Sequence, residues 1–166
     1  MFNFVSAAPH PLTSSSIVNN TQLGLVYSQF GFKINHVPMG WVYKNGNELN
    51  SKSIELGPAD LTSKTTISFR QEKVAKKTNL EQYVRQYLRD YNQYGFEVTN
   101  LQSNKKNVAP SVVVDLTQKN KVTKSRQIFF IQNEKVIIAS CFDNYDNFEK
   151  SVINCNQILD SFQWIK

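Results

Sequence analysis

The stretch from Val112 to Phe142 constrains the fold most. Three β-branched runs follow one another there, Val112–Leu116, Val122–Ile131 and Val136–Phe142. Two short polar joints separate them, Gln118-Lys119-Asn120-Lys121 and Gln132-Asn133-Glu134-Lys135. β-Branched and aromatic runs linked by a few polar residues read as hairpins. The stretch is therefore expected to be an antiparallel meander at the centre of a sheet. Flanking strands and covering helices must come from the rest of the chain.

Those elements can be read in order. Leu23–Tyr27 predicts a short strand, and Gly31–Val37 a second. Pro38 stops the second strand, because proline cannot donate to a ladder. Gly40–Tyr43 follows, then the turn signal Asn45-Gly46, then strands at Ile54–Leu56 and Thr65–Phe69. Thr78-Asn79-Leu80-Glu81 reads as a capping box with Thr78 as the N-cap. The helix it opens is expected to run to about Tyr94, with Leu80, Tyr83, Val84, Tyr87, Leu88 and Tyr91 on one face. Gly95 ends it, Phe96–Leu101 is a strand with Phe96 and Val98 inward, and Ser103–Pro110 is a polar loop. Asp143 or Asn144 is expected to cap a last helix with the stripe Phe148, Val152, Cys155 and Leu159. Ser161–Trp164 closes the chain as a short strand or a tucked tail. Strands and helices in this order, with hairpin links, predict an α+β fold in which helices flank an antiparallel sheet.

Charge and length narrow the function. The 166 residues carry a net charge of +6, and Met1–Phe32 contains no Asp, Glu, Lys or Arg. Residues 1–22 are expected to be an uncharged leader or signal-peptide remnant, followed by one domain from 23 to 166. No apolar run approaches the roughly 20 residues that span a bilayer, so no transmembrane segment is expected. The positive excess between Lys64 and Arg126 reads as a lysine-rich surface; a nucleic-acid footprint is the weaker reading, and nucleic acid is not the expected partner.

The chain has two histidines, His10 and His36, and two cysteines, Cys141 and Cys155. It has no His-Glu-x-x-His, Cys-x-x-Cys, EF-hand, P-loop, nucleophile-elbow or dinucleotide motif. No cofactor, metal ligand or catalytic residue is expected, and the chain is read as a non-enzyme. A dyad of His36 with either cysteine is the weak alternative. About ten helical residues would carry Cys155 roughly 15 Å back from the end of the strand that holds Cys141. A bridge then requires a helix crossing at a steep angle. Two buried free thiols are the favoured reading. Asp143, Asp146 and Glu149 read as favourable charges at a helix start rather than as a cation site. Tyr83, Tyr87 and Tyr91 read as core rather than as a stacking platform. Trp41 and Tyr43, after the Pro38-Met39-Gly40 turn, are either a lid on the core or the aromatic edge of a pocket. With Lys105, Lys106, Lys121, Lys124 and Arg126 they form the candidate partner or ligand surface.

Several segments together resemble the PsbP-like superfamily, which includes DcrB-like bacterial proteins. Gly31-Phe32-Lys33-Ile34 leading to Pro38-Met39-Gly40-Trp41 resembles that family's strand into a Pro-x-x-Trp turn. The helix from Leu80 resembles its central helix. Ile137-Ala139-Ser140-Cys141 with Phe148, Ile158-Leu159 and Ser161-Phe162 resembles its last strand and helix. The resemblance spans about Leu23 to Trp164 and implies an α-β-α sandwich. It also implies a non-catalytic accessory protein that binds another protein, in the bacterial envelope or secreted. A cytosolic chaperone for a secretion-system effector is the alternative.

Overall fold

The computed structural model describes residues 25–44, 52–104 and 109–166. The leader with His10, the Asn45-Gly46 turn, Lys105 and Lys106 lie outside the described residues. In chain order the elements are β1 Leu25–Tyr27, β2 Phe32–Ile34, β3 Trp41–Tyr43, β4 Ser53–Pro58, β5 Thr66–Lys73 and α1 Leu80–Leu88. They continue as β6 Phe96–Asn104, β7 Ser111–Gln118, β8 Thr123–Gln132, β9 Lys135–Asn144, α2 Phe148–Asp160 and β10 Phe162–Trp164.

The meander forms as its sequence requires. β7, β8 and β9 pair antiparallel in register from Ser111↔Phe130 to Gln132↔Lys135. Asn133 turns the second joint with φ 55° and Lys121 the first with φ 56°. The meander strands and the seven other described strands form two sheets. One is seven-stranded, in the order β3-β4-β5-β9-β8-β7-β6, so β9 lies at its centre. The other is three-stranded, in the order β1-β2-β10.

Central strands of this sheet are buried on both faces, so their apolar residues run continuously instead of alternating with polar ones. Val136 and Ile138 of β9 join Phe129, Val112, Val114 and Leu116 beneath Val84 and Leu88 of α1. Ile137, Ala139 and Cys141 face the other way and pack with Phe148, Val152, Cys155, Ile158 and Leu159 of α2. The small sheet closes that second face. Phe162 of β10 stacks on Phe130 with ring centroids 3.9 Å apart, and on Phe32 of β2 at 5.0 Å. The architecture is helix, sheet, then helix with small sheet, an α+β sandwich as expected.

Several local features differ from expectation. The N-cap of α1 is Asn79, whose side chain accepts from Gln82 N at 3.0 Å. Thr78 instead donates its hydroxyl to Ala75 O at 2.6 Å. The α-helix stops at Leu88, and turns continue to Gly95, which has φ +84°. Asp143 and Asn144 do not cap α2, because β9 runs through both of them and the N-cap is Asn147. Asp143 is buried, and its carboxylate accepts from Thr65 Oγ1 at 2.6 Å, from Asn144 N at 2.6 Å and from Ser151 Oγ. It thus ties the start of β5 to the first turns of α2.

The reading of two free thiols is also overturned. Cys141 and Cys155 form a disulfide with Cα atoms 6.1 Å apart. The helical return alone does not set the separation, because the strand overruns Cys141. β9 continues three residues past Cys141, carrying the chain about 10 Å onward at the usual strand rise. Cys155 is seven residues into α2, which brings the chain about 10 Å back at 1.5 Å per residue. The two displacements cancel, so no steep crossing is needed. With both sulfurs in this bond, the Cys–His dyad considered for His36 is excluded as well; His36 is exposed, and its backbone N–H donates to Ser161 Oγ.

Candidate functional site: an amide-walled cleft beside the last helix

The site begins with an irregularity in β6. Phe96 and Val98 pair with Gln118 and Leu116, but the register shifts between Val98 and Asn100, leaving Thr99 as the extra residue. A bulge of this kind inserts one residue and reverses which parity faces which side. Beyond it, Leu101 packs under α1 and Ser103 bonds Glu81 of that helix. Asn100, Gln102 and Asn104 therefore turn to the α2 side. Val98, by contrast, is 44% exposed and does not serve as the inward residue expected of it.

On that side the three amides form one wall of a cleft of about 230 Å3. Asn156 and Asp160, one turn apart on α2, form the opposite wall. The floor is apolar, from Val113, Ile128, Phe130 and Leu159. Arg126 stands at one end, held by its neighbours. Its Nε donates to Asp115 Oδ1 at 2.7 Å and its Nη2 to Asp115 Oδ2 at 2.9 Å. Its Nη1 donates to Asn156 Oδ1 at 3.1 Å. Asn100 Nδ2 also donates to Asp115 Oδ2, at 3.2 Å. The hydrogen bond to Asp115 raises the Arg126 pKa and outweighs the opposing effect of partial burial. A guanidinium has five N–H groups, so this arrangement leaves it with donor capacity toward the cleft.

The other surface residues singled out from the sequence are dispersed. Trp41 is 2% exposed within the core on the α2 side, and Tyr43 is half-buried beside it, its hydroxyl 3.2 Å from that of Tyr27. Lys124 pairs with Glu149 and lies 5.2 Å from the Phe148 ring centroid. Lys121 is an exposed turn residue. Lys124 and Arg126 share the α2 side of β8, but both engage carboxylates. Tyr83 and Tyr87 of α1 pack on Phe129, and Tyr91, in the turns that follow the helix, packs on Phe96. No group of three or more potential metal ligands occurs among the described residues, and no helix among them is long and apolar enough to cross a membrane.

Asn100, Gln102, Asn104, Asn156 and Asp160 were not singled out from the sequence. The period-two run of amides was a usable signal. It was obscured because the segment after Leu101 reads as a loop.

No family model matches the sequence, and no curated protein matches it significantly. Solved structures do match in fold. Cyanobacterial PsbP (CyanoP) from Synechocystis aligns with a TM-score of 0.64 at 12% identity, over 93% of this chain and 99% of that one. LpqN of Mycobacterium tuberculosis, described as involved in cell envelope biogenesis, aligns with a TM-score of 0.60 at 14% identity, over 81% and 83%. A protein from Bacteroides thetaiotaomicron aligns with a TM-score of 0.56 at 12% identity, over 82% of this chain and 46% of that one. The chain thus has a PsbP-like fold, as the sequence resemblance implied.

Proposed function

We infer that the chain is a non-catalytic accessory protein that binds another protein in an oxidising compartment, in the bacterial envelope or secreted. The observation that carries this reading is the make-up of the cleft. Its walls are mainly carboxamides, which give and receive hydrogen bonds but do not transfer protons near neutral pH. Arg126 is engaged with Asp115, and Cys141 with Cys155. The disulfide supports the compartment, since such bonds persist where thiols are not kept reduced. The likeness to a protein of cell envelope biogenesis supports it too. A cytosolic effector chaperone fits less well, because the disulfide would be reduced there and both apolar faces of the central sheet carry helices.

The test is fractionation of the native source, followed by thiol alkylation and affinity capture. An unalkylated protein in the envelope or medium, recovered with a stoichiometric protein partner, is the expected result. A protein found in the cytosol with both thiols alkylated would overturn the compartment. Turnover of a substrate by the purified protein would overturn the non-catalytic reading.

A further inference from the structure

We propose that the cleft between β6 and α2 receives an extended, uncharged peptide segment of the partner and reads its main chain. The proposal rests on the protein-binding reading and names the site and the kind of segment it takes.

Asn100, Gln102 and Asn104 alternate along a strand, so successive amides stand about 6.7 Å apart. An extended peptide repeats its main-chain N–H and C=O groups every two residues, at the same interval. A side-chain amide carries one acceptor oxygen and two donor hydrogens. Asn100 already donates to Asp115, and an amide that makes one such bond still has groups that match the N–H and C=O of a peptide unit. On the facing wall, Asn156 and Asp160 are four residues apart, about 6 Å along the helix. A segment lying between the walls meets polar groups at nearly equal intervals on both sides.

Arg126 contributes one positive charge, while Asp115 and Asp160 contribute two negative ones. An acidic segment would be repelled by this balance. A strongly basic one would compete with Arg126 for Asp115, whose two oxygens are already bonded. An uncharged segment meets neither obstacle. The donor capacity left on Arg126 suits a peptide carbonyl near that end. A volume of about 230 Å3 over an apolar floor accommodates one or two side chains, not a folded element.

The bulge at Thr99 makes this possible. Without the extra residue, the parity that carries Phe96 and Val98 would carry Asn100 and Gln102 to the α1 side as well. The irregularity in β6 therefore places the amide run opposite α2.

The test is selection of random nonamer peptides displayed on phage against the intact, oxidised chain, with a neutral-oligosaccharide array run in parallel. Selected peptides are titrated into the wild type, into the double variant Gln102→Ala with Asn104→Ala, and into Asn156→Ala. Amide spectra first confirm that each variant is folded. The expected result is a pool poor in charged residues, whose affinity falls at least tenfold on the double variant and falls on Asn156→Ala. N-methylation of alternate peptide nitrogens should abolish binding. Failure to enrich peptides, or a pool indifferent to both variants, would overturn the proposal. So would an oligosaccharide whose binding depends on Gln102 and Asn104. A native partner captured equally well by the double variant would overturn the cleft assignment while leaving the protein-binding reading intact.

Discussion

Arg126 and Asp115 face each other across adjacent strands through two parallel hydrogen bonds, 2.7 and 2.9 Å long. Their side chains are 24% and 12% exposed, so the pair is neither fully buried nor fully solvated. Bidentate guanidinium–carboxylate pairs are among the stronger hydrogen-bonded contacts. Removing one partner leaves the other poorly solvated, whereas replacing both with apolar groups does not. Arg126→Ala should destabilise the fold by about 2 kcal/mol, a value discounted for the remaining solvent access. Arg126→Met with Asp115→Leu should lose less than the sum of the single changes. Urea unfolding of the full double-mutant cycle checks this, and strict additivity would refute the coupling.

The disulfide joins the central strand to its covering helix. Closing a loop of this length in the unfolded chain contributes about 3 kcal/mol in the chain-entropy picture. Cys141→Ala with Cys155→Ala should therefore lower the melting temperature by roughly 10 °C. Calorimetry of the oxidised protein and the double variant measures the difference. A shift of only a degree or two would mean that the bond adds little to the packing of α2.

Asp143 supports three donors from inside the fold. Asp143→Ala leaves Thr65 and Ser151 without that acceptor and should cost about 2–3 kcal/mol. Asp143→Asn keeps an acceptor oxygen and should cost less. Chemical denaturation of both variants decides whether acceptor or charge matters more.

Alkaline pH should weaken the fold through Tyr27. Burial, and then the hydrogen bond with Tyr43, push its phenol far above its ordinary value of 10.0. Tyr83 and Tyr87 are also raised, chiefly by burial. A group with a raised folded pKa contributes stability that is complete below its unfolded pKa and is lost as pH rises toward the folded value. Stability should hold up to about pH 10 and decline above it, as the unfolded chain ionises phenols that the folded chain keeps protonated. Ultraviolet titration should show a late set of tyrosines that ionise together with unfolding. Tyr27→Phe should flatten the decline, and a slope unchanged by it would assign the effect elsewhere.

How much of this was legible in the sequence depended on how local the determining interactions are. The meander was legible because each strand carries its own apolar run and each joint its own polar residues. The end of the helix before Gly95 was less so: the apolar spacing continues through Tyr91, yet the backbone changes to turns after Leu88. The same limit applies to Asn79, which competes with Thr78 for the cap and wins because Thr78 bonds back to Ala75. The cleft was least legible. Arg126 reads as one more cation in a basic stretch, and its partners Asp115 and Asn156 lie 11 and 30 residues away. A bulge leaves no fixed residue signature, so the face on which Asn100, Gln102 and Asn104 fall could not be read from alternation.

The small sheet bears on how the chain acquires its structure as it is synthesised. β2 lies between β1 and β10, and Ile34 is matched with Phe162. At usual translation rates, the roughly 130 residues between them take about 7–25 seconds to add. Throughout that interval Phe32 and Ile34, both fully buried at the end, lack their partner strand. The N-terminal part of this chain is thus obliged to wait for its C-terminal part. That waiting period is when a ribosome-bound or translocating chain would most benefit from being held by another protein.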